Sequence, residues 1–398
     1  MYRFDIISML TITLKRSDIM HKKIYKTGVI GLGFIGIAHI EALRRLGFIN
    51  VVAISETIDA KEKAAELFVE NHYNNYKDMI DNEKLDVIHI CTPNHTHYEI
   101  AKYAMEKGIH VVCEKPMTST LKDALAMADL AKKTNLINAV NFHNRFYPMT
   151  NHIKTLIKND DIGDVISVHG EYIQDWLLYD TDYSWRLVSE YSGKTRAIAD
   201  IGSHWMDLIQ FTTRLKITEV FGEFSTFYPE RKKAKAKIET FSEKELKEED
   251  YEKISIDTED FAIINLKLEN GAICSGVISQ MFAGEKNKIT LKIAGKKASI
   301  TWDSNDLNNL TIGHRGKPNE FIQKDASLLK GGADSVVSYP GGHIEGFPDA
   351  FKQTFKKIYE SISNPSLKEY ATFEDGLNQT ILAEKLFESN NKKAWIKI

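Results

Sequence analysis

The sequence predicts an α/β chain: an N-terminal unit on a parallel sheet, then an α+β unit on a large, mainly antiparallel sheet. Three observations carry this. From Lys26 to Val140, short apolar runs alternate with stretches of helical periodicity, the pattern of βαβ units. After Asn141 the rhythm changes to strands rich in aromatic and β-branched residues. At 398 residues the chain exceeds what one hydrophobic core usually supports, so two domains are expected. They are read as 23–141 and 142–398, with an extension over 1–22 and a charged insertion near 230–253.

The first unit should hold strands at Thr27–Gly31, Val51–Ser55, Val87–Cys91, Ile109–Cys113 and Ile137–Val140. Helices fill the gaps at Ile35–Leu46, Ala60–Phe68, His97–Lys107 and Leu121–Lys133. In the second unit a helix is expected near His152–Ile157, then strands at Val165–Tyr172, Val220–Phe227, Phe261–Glu269, Ala272–Gln280, Lys288–Ala294 and Ser299–Asp303. Asn270-Gly271 between two of them is a strong hairpin signal. The stretch Glu230–Lys253 is dense in both charges with few apolar anchors, so it reads as a solvated loop or insertion. Gly376–Glu388 is an amphipathic helix able to pack back on the core.

Composition narrows the partners. A formal net charge of -3 leaves no basic excess for phosphate neutralisation, which argues against nucleic acid and for a small substrate. Cys91, Cys113 and Cys274 sit in apolar runs without metal or disulfide spacing and read as buried thiols in a reducing cytoplasm. Phe4–Leu14 is apolar, but the basic pair Lys15-Arg16 follows it and Asp5 interrupts it, unlike an export signal. Met20 is a plausible alternative start, and the preceding residues read as an upstream-start artefact or a disordered tail. No run of eighteen uncharged apolar residues occurs, so no membrane span is expected.

Gly31-Leu32-Gly33-Phe34-Ile35-Gly36 falls where a strand becomes a helix. There the first glycine permits a tight turn, the second lets backbone approach a pyrophosphate, and the third allows close helix packing. This predicts a dinucleotide-binding Rossmann unit with Gly31, Gly33, Phe34, Ile35 and Gly36 around the cofactor. Glu56 follows the second strand, where a carboxylate binds ribose hydroxyls and repels a 2′-phosphate. No arginine or lysine adjoins Ser55-Glu56-Thr57, so NAD is favoured over NADP. Thr92, Pro93 and Asn94 should lie at the same sheet edge. His95 and His97 lack the spacing and companions of a metal site, so no metal is expected and His97 reads as a cap or cofactor-pocket residue.

Cys113-Glu114-Lys115-Pro116 closes an apolar strand and puts a lysine at its carboxyl end, where open α/β sheets hold ligands. An ammonium there could stabilise alkoxide character beside a nicotinamide. A cis bond at Pro116 would aim Lys115 inward. Asp200, His204 and Asp207 are spaced by four and three residues in a helical pattern, which predicts one stripe with Asp200 fixing the tautomer of a His204 base. Asp207 ranks below them as a packing residue.

These motifs together resemble the Gfo/Idh/MocA oxidoreductases, the family of glucose-fructose oxidoreductase and inositol dehydrogenase, from about Ile24 to Ile398. The Glu-Lys-Pro and Asp-x-Gly-x-His motifs of that family fall on Lys115, Asp200 and His204 as the implied catalytic set. The stretch Asn141-Phe142-His143-Asn144-Arg145-Phe146-Tyr147-Pro148 is similar to its post-Rossmann motif, which implies substrate roles for Asn141 and Arg145. Segments containing Trp176, Trp185, Arg186 and His343 resemble a sugar-acting branch, although each could instead be a packing residue. Glu114 and Arg186 are placed with the cofactor. Ser192-Gly193-Lys194-Thr195-Arg196 departs from the family, with one glycine where a glycine-rich run is usual.

The expected activity is hydride transfer from a secondary hydroxyl of a sugar, sugar derivative or inositol to NAD. The competing class is a regulator that binds dinucleotide without turnover, which has no need of a lysine and histidine together. Strands with apolar residues on both faces between Phe261 and Asp303 point to a homodimer or homotetramer joined through that sheet.

Overall fold

The computed structural model describes residues 23–235 and 247–398. The 1–22 extension, including Met20, and the middle of the charged insertion lie outside the described residues.

Six strands form the first sheet: β1 (Tyr25–Ile30), β2 (Ile49–Ser55), β3 (Asn71–Tyr73), β4 (Val87–Ile90), β5 (His110–Cys113) and β6 (Asn138–Val140). All its pairs are parallel, in the order β3-β2-β1-β4-β5-β6. The order reverses at β1, so a crevice opens beyond the carboxyl ends of β1 and β4. The expected helices form within two residues of their predicted ends, at Phe34–Arg44, Ala60–Glu66, His97–Glu106 and Leu121–Thr134. Sequence reading missed β3 and the helix Tyr76–Asn82. The first is three residues long, and the second buries only Met79 and Ile80, so neither carries a readable period.

The second unit opens with the helix Pro148–Lys158, with proline at its first turn. Its strands are β7 (Val165–Ile173), β8 (Ile217–Ser225), β9 (Glu230–Ala234), β10 (Tyr251–Ser255), β11 (Phe261–Leu268), β12 (Ile273–Ser279), β13 (Lys288–Gly295), β14 (Ser299–Asp303), β15 (Asn309–Gly313), β16 (Glu320–Gln323) and β17 (Ile396–Lys397). Nine of them order as β16-β15-β14-β13-β7-β12-β11-β8-β17, antiparallel except for β7 beside β12. Asn270-Gly271 makes the β11–β12 turn as expected, with Gly271 in the left-handed region.

The ends of the charged stretch correct the expectation of a solvated loop, since β9 and β10 pair as a hairpin. Arg231 in β9 is fully buried against Asp260. The helix Phe347–Ser363 has no counterpart in the sequence expectations, although Phe347, Phe351, Phe355 and Ile358 repeat at helical spacing. It packs on the helix Phe34–Arg44 and so reaches back to the first unit. The C-terminal helix is longer than predicted, Phe373–Lys392, and packs against both β8 and the helix Leu121–Thr134. No described helix is long and apolar enough to cross a membrane.

The larger core lies between the nine-stranded sheet and the helix Ser203–Thr213. Gly170 of β7 and Gly276 of β12 are paired in register and leave a notch for Trp205. A Cβ on Gly276 would stand 2.6 Å from that indole. Trp205 Nε1 donates to the carbonyl of Thr290 at 3.0 Å. The seated ring fixes the first turn of the helix, and with it the neighbouring His204.

Candidate active site

The glycine loop leaves β1 through Gly31, whose φ is +86°; a Cβ there would stand 2.8 Å from the main chain at Cys91 and Thr92. The helix that follows has Gly33 as its N-cap, no side-chain cap and no acid in its first turn. Its first N–H groups are therefore left for an anion, and a Cβ added at Gly33 would point into open space. These residues fit a dinucleotide pyrophosphate. Ile35 packs into the core, while Phe34 is exposed and stacks on Phe347 at 6.2 Å.

Glu56 stands at the end of β2 and accepts N–H groups from Leu32 at 2.7 Å and Thr57 at 2.8 Å. Burial pushes its pKa up, but those two N–H groups and Lys63 outweigh it and hold the carboxyl below its ordinary value. Lys63 Nζ lies 3.5 Å from Glu56 and 3.1 Å from the Leu32 carbonyl. No arginine or lysine adjoins Glu56 in sequence, yet a base reaches it from the next helix, seven residues on.

Thr92 and Pro93 lead into a short turn over Asn94–Thr96, in which Asn94 is buried and the hydroxyls of Thr92 and Thr96 meet at 2.6 Å. The imidazole of His97 is fully buried, with Nε2 2.8 Å from the Thr92 carbonyl and Nδ1 3.1 Å from that of Pro116. It ties the β4 loop to the Glu-Lys-Pro loop, and burial lowers its pKa.

The Lys115–Pro116 peptide is cis. Lys115 Nζ donates to the Asp200 carbonyl at 2.8 Å and to Asp200 Oδ1 at 2.9 Å. Asp200 Oδ2 accepts Gln280 Nε2 at 2.9 Å, and Arg186 Nε lies 3.5 Å from Oδ1. Burial pushes the Asp200 pKa up, but Lys115 and then Arg186 outweigh it and leave the carboxyl below its ordinary value. Sequence reasoning missed Gln280, whose only signal is a polar residue closing an apolar strand.

The expected single stripe of Asp200, His204 and Asp207 is corrected. Ile198–Gly202 is a π turn, and the α-helix starts only at Ser203. The wider turn takes Asp200 off the His204 face, so its carboxylate fastens Lys115 instead of fixing the imidazole. His204 is buried, and its Nδ1 has no hydrogen-bond partner among the described residues. Burial first, then Lys115 and His143, push its pKa well below the ordinary value. It is therefore a neutral imidazole. His143, 5.2 Å away between ring centres, is a further neighbour that sequence reasoning left without a role.

The Arg186 guanidinium lies 4.6 Å from the Trp185 ring centre and 6.0 Å from that of Trp176. Trp176 Nε1 donates to Gln174 at 2.7 Å, and Gln174 donates to Asn287 at 2.8 Å. These side chains therefore gather beside Asp200. Asn141 is buried and donates to Glu114 Oε1 at 2.6 Å. Two implied substrate residues are not brought there. Arg145 is buried in an ion pair with Asp207 and also bonds Asp375 at 3.0 Å, so its donors are spent on packing. His343 is exposed on a loop beside a cleft of about 350 Å³ whose other walls include Asn305, Asn308, Gln323 and Lys324. That cleft contains none of Lys115, Asp200 or His204. The single glycine of the departing loop, Gly193, has φ +97° and packs where a Cβ would meet the Ser119 carbonyl at 2.5 Å.

A dinucleotide cradle whose edge carries a lysine, a carboxylate and a neutral histidine defines an oxidoreductase class of site. Comparison with known proteins agrees. Residues 25–142 match the oxidoreductase family with an NAD-binding Rossmann fold, and residues 150–301 match the GFO/IDH/MocA C-terminal domain. The chain belongs to the Gfo/Idh/MocA oxidoreductase family, and its first unit is an NAD-binding one. Levoglucosan dehydrogenase of Pseudarthrobacter phenanthrenivorans is 27% identical over 390 residues, covering 93% of this chain and 97% of that protein. Myo-inositol 2-dehydrogenase of Thermotoga maritima is 28% identical over 184 residues, 42% of this chain and 55% of that protein. A structure of levoglucosan dehydrogenase with NADH and L-sorbose aligns at a TM-score of 0.82 and 25% identity, over 94% of this chain and 99% of that one.

Proposed function

We propose that the protein is an NAD-dependent dehydrogenase that oxidises a secondary hydroxyl of a sugar, sugar derivative or inositol. The observation that carries this is the Lys115 ammonium, held by both oxygens that Asp200 offers it, at the sheet edge where the glycine cradle ends. Lys115 donates to the reacting oxygen and stabilises negative charge on it. The neutral His204 takes the hydroxyl proton, and Asp200 sets the position of Lys115. When bound, NAD accepts the carbinol hydrogen as hydride at nicotinamide C4. Trp176, Trp185 and Arg186 supply aromatic faces and a donor suited to a polyol ring. The dehydrogenases of levoglucosan and myo-inositol among the relatives support this substrate class. Three cysteines without disulfides fit a cytoplasmic setting. Reduction of NAD across sugars, anhydro sugars and inositols tests the reading: turnover of at least one supports it, and cofactor binding with turnover of none identifies a sensor.

Cofactor choice is assigned to Glu56. Replacing it by serine together with Thr57→Arg should raise the NADP-to-NAD ratio of kcat/KM by on the order of tenfold or more, because the carboxylate facing a 2′-phosphate is gone and Lys63 remains. An unsubstituted enzyme that already prefers NADP would contradict this.

A homo-oligomer joined through the open face of the nine-stranded sheet completes the proposal. On that face Ile263 and Ile273 are 43% and 42% exposed, amid polar neighbours such as Asn265 and Ser275. Light scattering at micromolar concentration should give a multiple of 45.3 kDa, and a mass near 45.3 kDa would overturn the assembly.

A further inference from the structure

Beneath the site runs a file of buried polar groups that the reaction above does not use. Glu114 Oε1 lies 2.9 Å from His39 Nε2, and His39 Nδ1 lies 2.8 Å from His89 Nδ1. His89 Nε2 is 3.0 Å from the Tyr359 hydroxyl, which is 2.7 Å from the hydroxyl of Thr27. His39, His89, Tyr359 and Thr27 are all 0% exposed, and Phe355 packs on both imidazoles. Four elements meet in this file: the helix after the glycine cradle, β4, the helix Phe347–Ser363 and β1.

The direction of the protons follows from chemistry. Burial pushes the Glu114 pKa up, but the hydrogen bonds from His39 and Asn141 and the nearby Lys115 ammonium lower it, so the carboxylate only accepts. His39 Nε2 must therefore carry a hydrogen. A contact between two Nδ1 atoms needs one hydrogen and one lone pair. A second hydrogen on the His39 ring would bury a cation between Phe351 and Phe355, so one hydrogen is assigned, Nδ1 holds the lone pair, His89 Nδ1 carries the hydrogen and His89 Nε2 accepts from Tyr359. Burial keeps His89 unprotonated and the Tyr359 hydroxyl protonated. Thr27 then donates to Tyr359. Every link is satisfied with one buried charge, that of Glu114, which also accepts from Asn141 Nδ2 at 2.6 Å and from the Lys115 N–H at 3.2 Å. The opposite direction needs an imidazolium walled by phenylalanine rings, a cost the neutral chain avoids.

We propose that Thr27, Tyr359, His89 and His39 form a hydrogen-bond chain of fixed direction that ends on Glu114, with His39 as the positioning residue that holds this carboxylate and, through it, the main chain of Lys115. Only the kinetic consequence rests on the function proposed above. The chain ties the helix that opens the cofactor cradle to the strand end that presents the lysine.

Neutron diffraction from deuterium-exchanged crystals tests the direction. Deuterons are expected on His39 Nε2 and His89 Nδ1, with Tyr359 donating to His89; a deuteron on His39 Nδ1 or on His89 Nε2 would overturn it. Kinetics with a polyol that the panel identifies test the positioning role. His39→Leu should lower kcat by about tenfold, the scale of a lost hydrogen bond to a charged group, while KM for NAD moves by less than about threefold. His39→Gln keeps an amide donor toward Glu114 and should recover most of that loss. Equal kcat in the leucine, glutamine and unsubstituted proteins would reject the role. Tyr359→Phe, which removes one oxygen and keeps the ring, serves if His39→Leu does not fold: a several-fold fall in kcat is expected, and unchanged kcat would count against it. If the unsubstituted enzyme turns over nothing, the dehydrogenase reading fails and the deuteron positions still decide the chain.

Discussion

Lys115→Met should lower kcat by about a hundred- to a thousandfold while the affinity for NAD stays within a few-fold of the parent value. The ammonium is the cation nearest the Asp200 carboxylate, and methionine keeps much of the stem's volume while removing every N–H. The loss falls on the chemical step because the glycine cradle and Glu56 are untouched by the change. A second effect compounds it. Asp200 would keep Gln280 and Arg186 but lose its closest cation, so its buried carboxyl would become easier to protonate. Lys115→Arg should rescue little, since a planar guanidinium cannot place one compact charge on both the carbonyl and the carboxylate of Asp200. NAD titration by fluorescence, read beside steady-state NADH formation, separates the two quantities. Near-normal turnover in the methionine protein would remove Lys115 from the reaction.

The largest stability effect should come from Asp260→Ala. Asp260, Arg196 and Arg231 are each 0% exposed in their side chains, and one carboxylate oxygen accepts from both guanidinium groups. The other oxygen accepts the Phe227 N–H at 2.7 Å and the Tyr228 N–H at 3.2 Å. Arg231 also holds the carbonyls of Tyr179 at 2.7 Å and Leu177 at 2.9 Å, on the loop that presents Trp176. Without Asp260, Arg231 keeps only main-chain carbonyls, and Arg196 keeps the Glu259 carbonyl at 3.1 Å and the neighbouring Glu259 side chain. Removing the carboxylate leaves two buried cations facing one another, a loss of about 3–5 kcal/mol. For a protein of this size Tm should fall by roughly 10 °C. Arg196 directly precedes the segment that carries Asp200, so activity should fall with stability. A melting temperature within about 2 °C of the parent would show that the network is not what holds this segment.

The parts of the site legible in sequence are those whose chemistry sits in one short segment. The glycine loop, Glu56 and Lys115 each follow a strand, and strand ends set their positions whatever the rest of the chain does. Legibility failed where the partner is remote. Arg231 reads as one more charge in a charged stretch, because Asp260 lies 29 residues away and only the fold shows that both are buried. Arg145 has the same appearance in sequence whether it faces a substrate or Asp207, which lies 62 residues on. Asp200 and His204 have helical spacing, but the π turn at Ile198–Gly202 changes the angle between them, and no residue type in it announces that turn. The helix Phe347–Ser363 was readable from its phenylalanine spacing; its contact with the first unit was not.

The central claim is that chemistry resides in the Lys115, Asp200 and His204 cluster while cofactor binding resides in the glycine cradle. The most direct measurement is NAD affinity and NADH formation, taken side by side on His204→Asn and the parent enzyme. The account predicts NAD affinity within about threefold of the parent and NADH formation lowered by at least about a hundredfold, the range for loss of a general base. NADH formation at the parent rate, with affinity unchanged, would contradict it.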